Sequence, residues 1–420
     1  MKDFYPKHFA ALIGIDWADK KHDICEYSNR TKCNTLSVIS SKPEAIHDWA
    51  NDLKKRYPNQ RIAVSCELKK GPLIYALSKH DHLVLFPINP STVAKYRKAF
   101  APSGAKDDPT DAQIQSELLV HHMDKLTPLE PESAELRILS QLVENRRKVV
   151  QDRIRLSNRI TAALKNYYPQ VIEWFKEKDT QLFCDFLKKW PNLASVQRAR
   201  ESTLTSFFHA HRVRRNNLIK QRIESIKLAH ALTEDDGVIM PNQLLVITLI
   251  KQLEVIMEAI KEHDKEIKTR YAACTDHDLF SSLPGAGPVF APRLLVAFGE
   301  NRSRYKSANE IQRYAGIAPV LERSGKQSWT HWRYSCPKFL RQSFVEWAGE
   351  TVRYSFWAKA YYEQEKQKGK SHQTIIRCLA FKWIRIIFRC WKNHTKYDES
   401  TYLKALKKRG SPLLEYAISG

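Results

Sequence analysis

Residues 132–168 read ESAELRILSQLVENRRKVVQDRIRLSNRITAALKNYY, with no glycine or proline before Pro169. Leu136, Leu139, Leu142, Val143, Val149, Val150, Ile154 and Ile160 recur at helical spacing, which predicts one long helix with a charged outer face. A second such run, residues 241–272, predicts another. Two helices of that length leave few folds open. Paired, they make a helical hairpin or coiled coil, with 176–240 as a small helical insert between its arms. Such an arm either dimerises the protein or braces it. Dimerisation is the stronger expectation, because an isolated hairpin buries little surface of its own.

The flanks have different textures. Before the arm, FAALIGIDWA (9–18), HDICEYS (22–28) and TLSVISS (35–41) read as a meander of strands. An amphipathic helix closed by Pro58 follows, then a strand at 61–68, a helix at 71–80, a strand at 82–89, and helices after Ser91 and Asp108. Three antiparallel strands followed by crossovers predict a mixed sheet flanked by helices. After the arm, 278–298 reads as helix, Pro-Gly-x-Gly turn and helix, and 357–396 is basic and aromatic. The fold class expected is α/β plus all-α, in three domains: 1–130, 131–275 and 276–420.

Lys and Arg number 69 against 46 acids, a formal charge of +23. Such an excess favours a polyanionic partner, above all nucleic acid, through counterion release. Cys25, Cys33, Cys66, Cys184, Cys274, Cys336, Cys378 and Cys390 include no C-x-x-C pair. They read as reduced, mostly buried thiols of a cytosolic protein, not as a disulfide framework or zinc site. No signal peptide opens the chain, and no apolar run approaches the ~18 residues of a membrane span, so a soluble cytoplasmic protein is expected.

Against that basic background, AKDDPTDA (105–112) concentrates three aspartates. Asp108 precedes Pro109, a favoured first helical residue, so Asp111 follows one turn later on the same helix face. The same segment would also serve as a helix cap. Two further acids weigh against capping alone. Asp16 shares a strand face with Leu12 and Gly14, and Glu67 shares one with the small residues Ala63 and Ser65. Adjacent first and fourth strands would bring Asp16 and Glu67 together, a costly placement unless a divalent cation offsets the charge. Oxygen-only ligands suit Mg²⁺ or Mn²⁺, which clamp phosphate oxygens in two-metal displacements.

GIDWADKKHD, SCELKKGPL and KDDPTDA together resemble the RNase H-like, Holliday-junction-resolvase-like domain of the DEDD transposases of bacterial insertion sequences, the family that includes Piv-type DNA invertases. Asp16, Glu67, Asp108 and Asp111 fall on that family's four metal-binding acids. The LKKG after Glu67 departs from the family's Thr-Gly turn. The resemblance runs on through LPGAGP and APVLERSGK, similar to the family's C-terminal transposase domain. LPGAGP suits a helix-hairpin-helix turn whose N–H groups, near Gly285 and Gly287, hold a phosphate, or else a plain turn between core helices. A serine between Arg323 and Gly325, with Lys326 next, could attack a phosphodiester whose developing charge those cations stabilise. The family's nucleophilic serine matches Ser324.

Membership further implies a structured bridge RNA that pairs with donor and target double-stranded DNA, and dimers joined into a tetramer. Tyr167, Tyr168, Trp174, Trp329, Trp332, Tyr334, Trp357, Trp383 and Trp391 could stack on bases, or fill cores. The leading reading is a transposase with a composite site, the acids holding Mg²⁺ and Ser324 attacking DNA. The runner-up is a metal-dependent junction-resolving endonuclease with no covalent serine step. A non-catalytic RNA-binding protein is third, and the intact acids argue against it.

Overall fold

In the computed structural model, the described residues are 4–67, 71–100, 108–411 and 413. Residues 68–70 of the LKKG stretch and 105–107 of AKDDPTDA lie outside them, as does the side chain of Asp108. The chain divides into two compact units, Met1–Pro131 and Glu132–Gly420.

The first unit is a five-stranded sheet with helices on both faces. Its strands are β1 Ala11–Trp17, β2 Lys21–Ser28, β3 Asn34–Ser40, β4 Ile62–Cys66 and β5 Leu83–Pro87, in the order β3-β2-β1-β4-β5. β1, β2 and β3 form an antiparallel meander, whereas β4 lies parallel to β1 and β5 parallel to β4. Two crossovers impose that parallel half. Helix α1 Pro43–Arg56 starts on a proline and buries Ile46, Ala50 and Leu53, one face at helical spacing. Helix α2 Pro72–Leu77 does the same with Leu73, Ile74 and Leu77.

Along β1, side chains alternate between two cores. Ala11, Ile13 and Ile15 face the α1 and α2 side, with Ile62, Val64 and Cys66 of β4. Leu12 and Gly14 face helix α4 Asp108–His122, which follows α3 Pro90–Phe100. Gly14 lets α4 come close. A Cβ there would sit 2.0 Å from the Ala112 carbonyl oxygen and 2.5 Å from the Ser116 amide nitrogen. Hydroxyls seal the same contact: Ser116 donates to the Leu12 carbonyl at 2.9 Å and Ser65 to the Gln115 carbonyl at 2.9 Å.

The second unit is built on the arm. Helix α5 Ala134–Leu164, N-capped by Ser133, is the first long helix. The insert follows as α6 Gln170–Trp174, α7 Gln181–Lys189, α8 Leu193–Gln197, α9 Glu201–Ala210 and α10 Asn216–Leu228. Helix α11 Asp236–Ala272 returns antiparallel, with Arg146 paired to Asp264 and Asn166 bonded to Asn242. It starts five residues before the expected 241, capped by Asp235, and carries Pro241 inside its early turns. Each end of the hairpin has its own core. Leu156, Ile160 and Leu164 pack with the insert at one end. Leu136, Leu139 and Val143 join the C-terminal helices at the other. The arm therefore shares a core with 276–420 instead of standing apart as a packed body.

Those C-terminal elements are α12 His277–Ser281, α13 Gly287–Phe298, α14 Ala308–Tyr314, strands β6 Val320–Ser324 and β7 Gln327–His331, then α15 Lys338–Tyr354, α16 Phe356–Gln367, α17 His372–Lys392 and α18 Glu399–Lys408. The hairpin β6–β7 was not expected from the sequence. All eight cysteines are free thiols, but only Cys25, Cys66, Cys184 and Cys274 are buried, and Cys33 is exposed. Among the described residues no helix is long and apolar enough to cross a membrane.

Candidate active site

In the first unit the strands themselves deliver the acids. Register pairs Ile15 with Cys66, so Asp16 and Glu67, one residue on, leave neighbouring parallel strands side by side. By alternation both point to the face that α4 covers. From Leu12 to Gly14 the contacts on α4 move from Ser116 back toward Ala112. The direction of that crossing carries Asp16 toward the first turn of α4, which begins at Asp108 and holds Asp111.

Asp111 is buried and ion-paired with Arg97 of α3, whose own Nε is buried without a hydrogen-bond partner. Its carboxylate is thus already neutralised by a guanidinium. Among the described residues no three His, Cys, Asp or Glu side chains are gathered as a metal set. A fifth acid escaped the sequence reading. Asp23 stands directly across from Asp16 on β2, 3% exposed, with the Lys21 ammonium 3.1 Å from Oδ2. Only register reveals it, since nothing in KKHDICE separates Asp23 from an ordinary strand acid. Beside it, burial pushes the Cys25 thiol up to about 11 and holds the His22 imidazole below its usual value.

The second unit presents the serine differently. Ser324 ends β6 and pairs with Gln327 across the two-residue turn Gly325-Lys326. Gly325 has φ +56°, the left-handed conformation that such turns require. Every residue from Leu321 to His331 is exposed. Pairing puts Val320, Glu322, Ser324, Gln327, Trp329 and His331 on one face. Arg323 pairs with Ser328 and takes the other face, so the two cations flanking the serine in sequence do not flank it equally in space.

The hairpin's foot is fixed firmly. The Trp332 ring has the Arg377 guanidinium 3.2 Å from its centroid and that of Arg341 at 5.1 Å. Arg341 and Arg333 donate to the carbonyls of Arg333 and Ala318. The Pro-Gly-x-Gly turn is also anchored, by the Trp347 indole N–H donating to the Pro284 carbonyl at 3.0 Å. Gly285 (φ +66°) leaves no room for a Cβ beside the Tyr354 ring, whereas Gly287 (φ +48°) has open space. Of the nine aromatics singled out above, Tyr167, Tyr168, Trp174, Trp357, Trp383 and Trp391 are core residues.

Comparison with known proteins places the chain in a family. A DEDD-type transposase family profile matches residues 13–169, and that of the Transposase IS116/IS110/IS902 family matches 277–363. The chain belongs to the IS110/IS116 family of transposases. It is a DNA transposase by that membership. Proteins similar to it include the mini-circle protein of IS117 from Streptomyces coelicolor, named as a transposase, 25% identical over 97% of this chain and 98% of its own. An uncharacterized 44.8 kDa protein of insertion element IS116 from Streptomyces clavuligerus is 24% identical over 91% of this chain and 94% of its own. The pilin gene-inverting protein of Moraxella bovis is 32% identical over 29% of this chain and 38% of its own length.

Proposed function

We infer that the first unit is an RNase H-like domain in which Asp16, Glu67, Asp108 and Asp111 hold Mg²⁺ or Mn²⁺, and that Ser324 is the nucleophile toward a DNA phosphodiester. The observation that carries the reading is the register that sets Asp16 beside Glu67 on the α4 face. The sheet order and its split into antiparallel and parallel halves support the fold. An all-oxygen donor set fits a hard cation. Asp111 fits on the condition that it exchanges Arg97 for metal, a swap of one cation for another. When bound, the metal supplies positive charge to phosphate oxygens. The chain's own residues do the rest. The Ser324 oxygen bonds to phosphorus as a phosphorus–sugar-oxygen bond breaks, and the serine proton is lost as the released sugar oxygen gains one.

The catalytic work falls to 1–130 and 276–420, with 131–275 as the arm. Exposed Ile154 and Val255, midway along α5 and α11, support dimerisation through that arm, and a tetramer of such dimers is the working assembly. A structured guide RNA, with double-stranded donor and target DNA, fits the uneven charge. The second unit carries 50 Lys and Arg against 30 acids, the first 19 against 16. The setting is the bacterial cytoplasm. The relatives named for pilin gene inversion agree with a recombinase that rejoins what it cuts.

Denaturing gels of labelled DNA test the reading. Wild type with Mg²⁺ should leave a protein–DNA adduct, and Ser324→Ala none, with RNA and DNA binding unchanged. An adduct from Ser324→Ala equal to wild type would favour a resolvase-like endonuclease.

A further inference from the structure

The hairpin's serine face carries more than the serine. We propose that Trp329 is a substrate-binding residue, the platform on which a nucleobase of the attacked DNA strand stacks, and that Glu322 holds its indole in place. The inference rests on the reading of Ser324 as nucleophile.

Four observations converge. Trp329 is 40% exposed, unlike the six core aromatics, and it occupies the serine's face of the hairpin. Its indole N–H donates to Glu322 Oε2 at 3.1 Å, and the same oxygen lies 3.1 Å from His331 Nε2. A carboxylate only accepts, so His331 donates there too, and Glu322 is braced from two sides. The ring is therefore tied by its edge, with two-fifths of the residue's surface exposed. Stacking on a pinned ring costs less ordering entropy than stacking on a mobile one.

Spacing fits a nucleic acid strand. Trp329 lies opposite Glu322, on the diagonal from Ser324, a separation of about 7–8 Å between such positions. Nucleotides rise roughly 3.4 Å along one strand, so the indole reaches a base about two nucleotides from the phosphate at the serine. Charge agrees with that occupant. Residues 301–420 hold 24 Lys and Arg against nine acids. The other indole near the hairpin, Trp332, is already covered by Arg377. Tyr334 is more exposed, at 80%, but it lies beyond the paired strands with no register to the serine.

A Trp–Glu pair that only stapled the hairpin would affect every probe alike, and the test separates that outcome from stacking. Full-length protein carrying Ser324→Ala is titrated with labelled oligothymidine and with an abasic oligomer of equal length, with and without Trp329→Ala. Stacking predicts that Trp329→Ala weakens oligothymidine binding roughly tenfold and leaves abasic binding unchanged. Trp329→Phe should keep most of the affinity, since a ring face remains. Equal losses on both probes, or no loss on either, overturn the proposal. The serine reading is scored separately by the adduct gel. An adduct that survives Ser324→Ala overturns the placement beside the attacked phosphate, whatever the titration gives. An adduct that depends on Ser324 beside a flat titration overturns the stacking alone.

Discussion

The acid end of the sheet and the serine hairpin are built on opposite plans. Asp16 and Glu67 stand at the ends of central strands packed on both faces, with α4 pressed against Gly14. Ser324 stands at the tip of two exposed strands, held by its own pairing and by a clamp at the foot. The acids are positioned by the core, so their geometry is as firm as the fold. The serine is positioned by the pairing of two short exposed strands, so its geometry rests on local contacts alone.

The largest effects expected are on activity. Asp16→Ala should abolish strand cleavage in Mg²⁺, as should Asp108→Ala with Asp111→Ala. Cleavage that persists would reduce those acids to structural roles. Their effects on stability should differ. Asp16 faces Asp23 across the strands, and removing one of two opposed carboxylates should hold stability or raise it by roughly 0.2–1 kcal/mol, read from thermal melts. Ser324→Ala should leave the melt unchanged.

The two plans next predict unequal costs for one substitution. Gly14→Ala forces α4 off β1 and should cost roughly 3 kcal/mol or more. Gly325→Ala meets open space and only a left-handed backbone, about 1–2 kcal/mol, confined to the hairpin. Hydrogen exchange of the full chain reads both. Faster exchange throughout β1 and α4 for the first, and only across β6 and β7 for the second, is expected. Equal, global losses would mean the hairpin is as embedded as the sheet.

Arg97→Gln sharpens the acid side. It strands the Asp111 carboxylate in a buried setting, at a cost of roughly 3 kcal/mol. If Asp111 is a metal ligand, Mg²⁺ should recover part of that loss and raise the variant's melting temperature more than the wild type's. No added response to Mg²⁺ would make the Arg97 pair its permanent state.

The smallest effect is on pH. Burial lowers the affinity of His22 and of His80 for a proton, so the unfolded chain takes up more protons than the native one below about 6.5. Stability contributed by these neutral imidazoles is present above that pH and falls as pH drops through it. His22→Phe should blunt the decline in melts between neutral and mildly acid buffer, and an unchanged slope would clear His22.

Hydrophobic patterning made most of the architecture legible. The strands, the crossovers and both long helices follow from which residues alternate and which recur at helical spacing, and Pro43 and Pro72 mark helix starts that the structure keeps. That Asp16 and Glu67 would meet was readable too, because a meander followed by crossovers leaves few ways to order five strands. The hairpin was hidden, since β6 and β7 bury almost nothing and so carry no alternating signature. Pro241 misplaced the start of α11 because an early-turn proline removes one backbone bond that the helix can spare.

What the sequence determined alone is therefore local: period, turn residues, charge excess, and the acid and serine motifs. Three things waited for the tertiary structure. Asp23 became Asp16's partner only when two strands paired in one register. Asp111 found Arg97 because α3 and α4 fold against each other. Trp329 was separated from six buried aromatics by where the cores lie. Each depends on distances between residues far apart in the chain, and composition and periodicity hold no such distances.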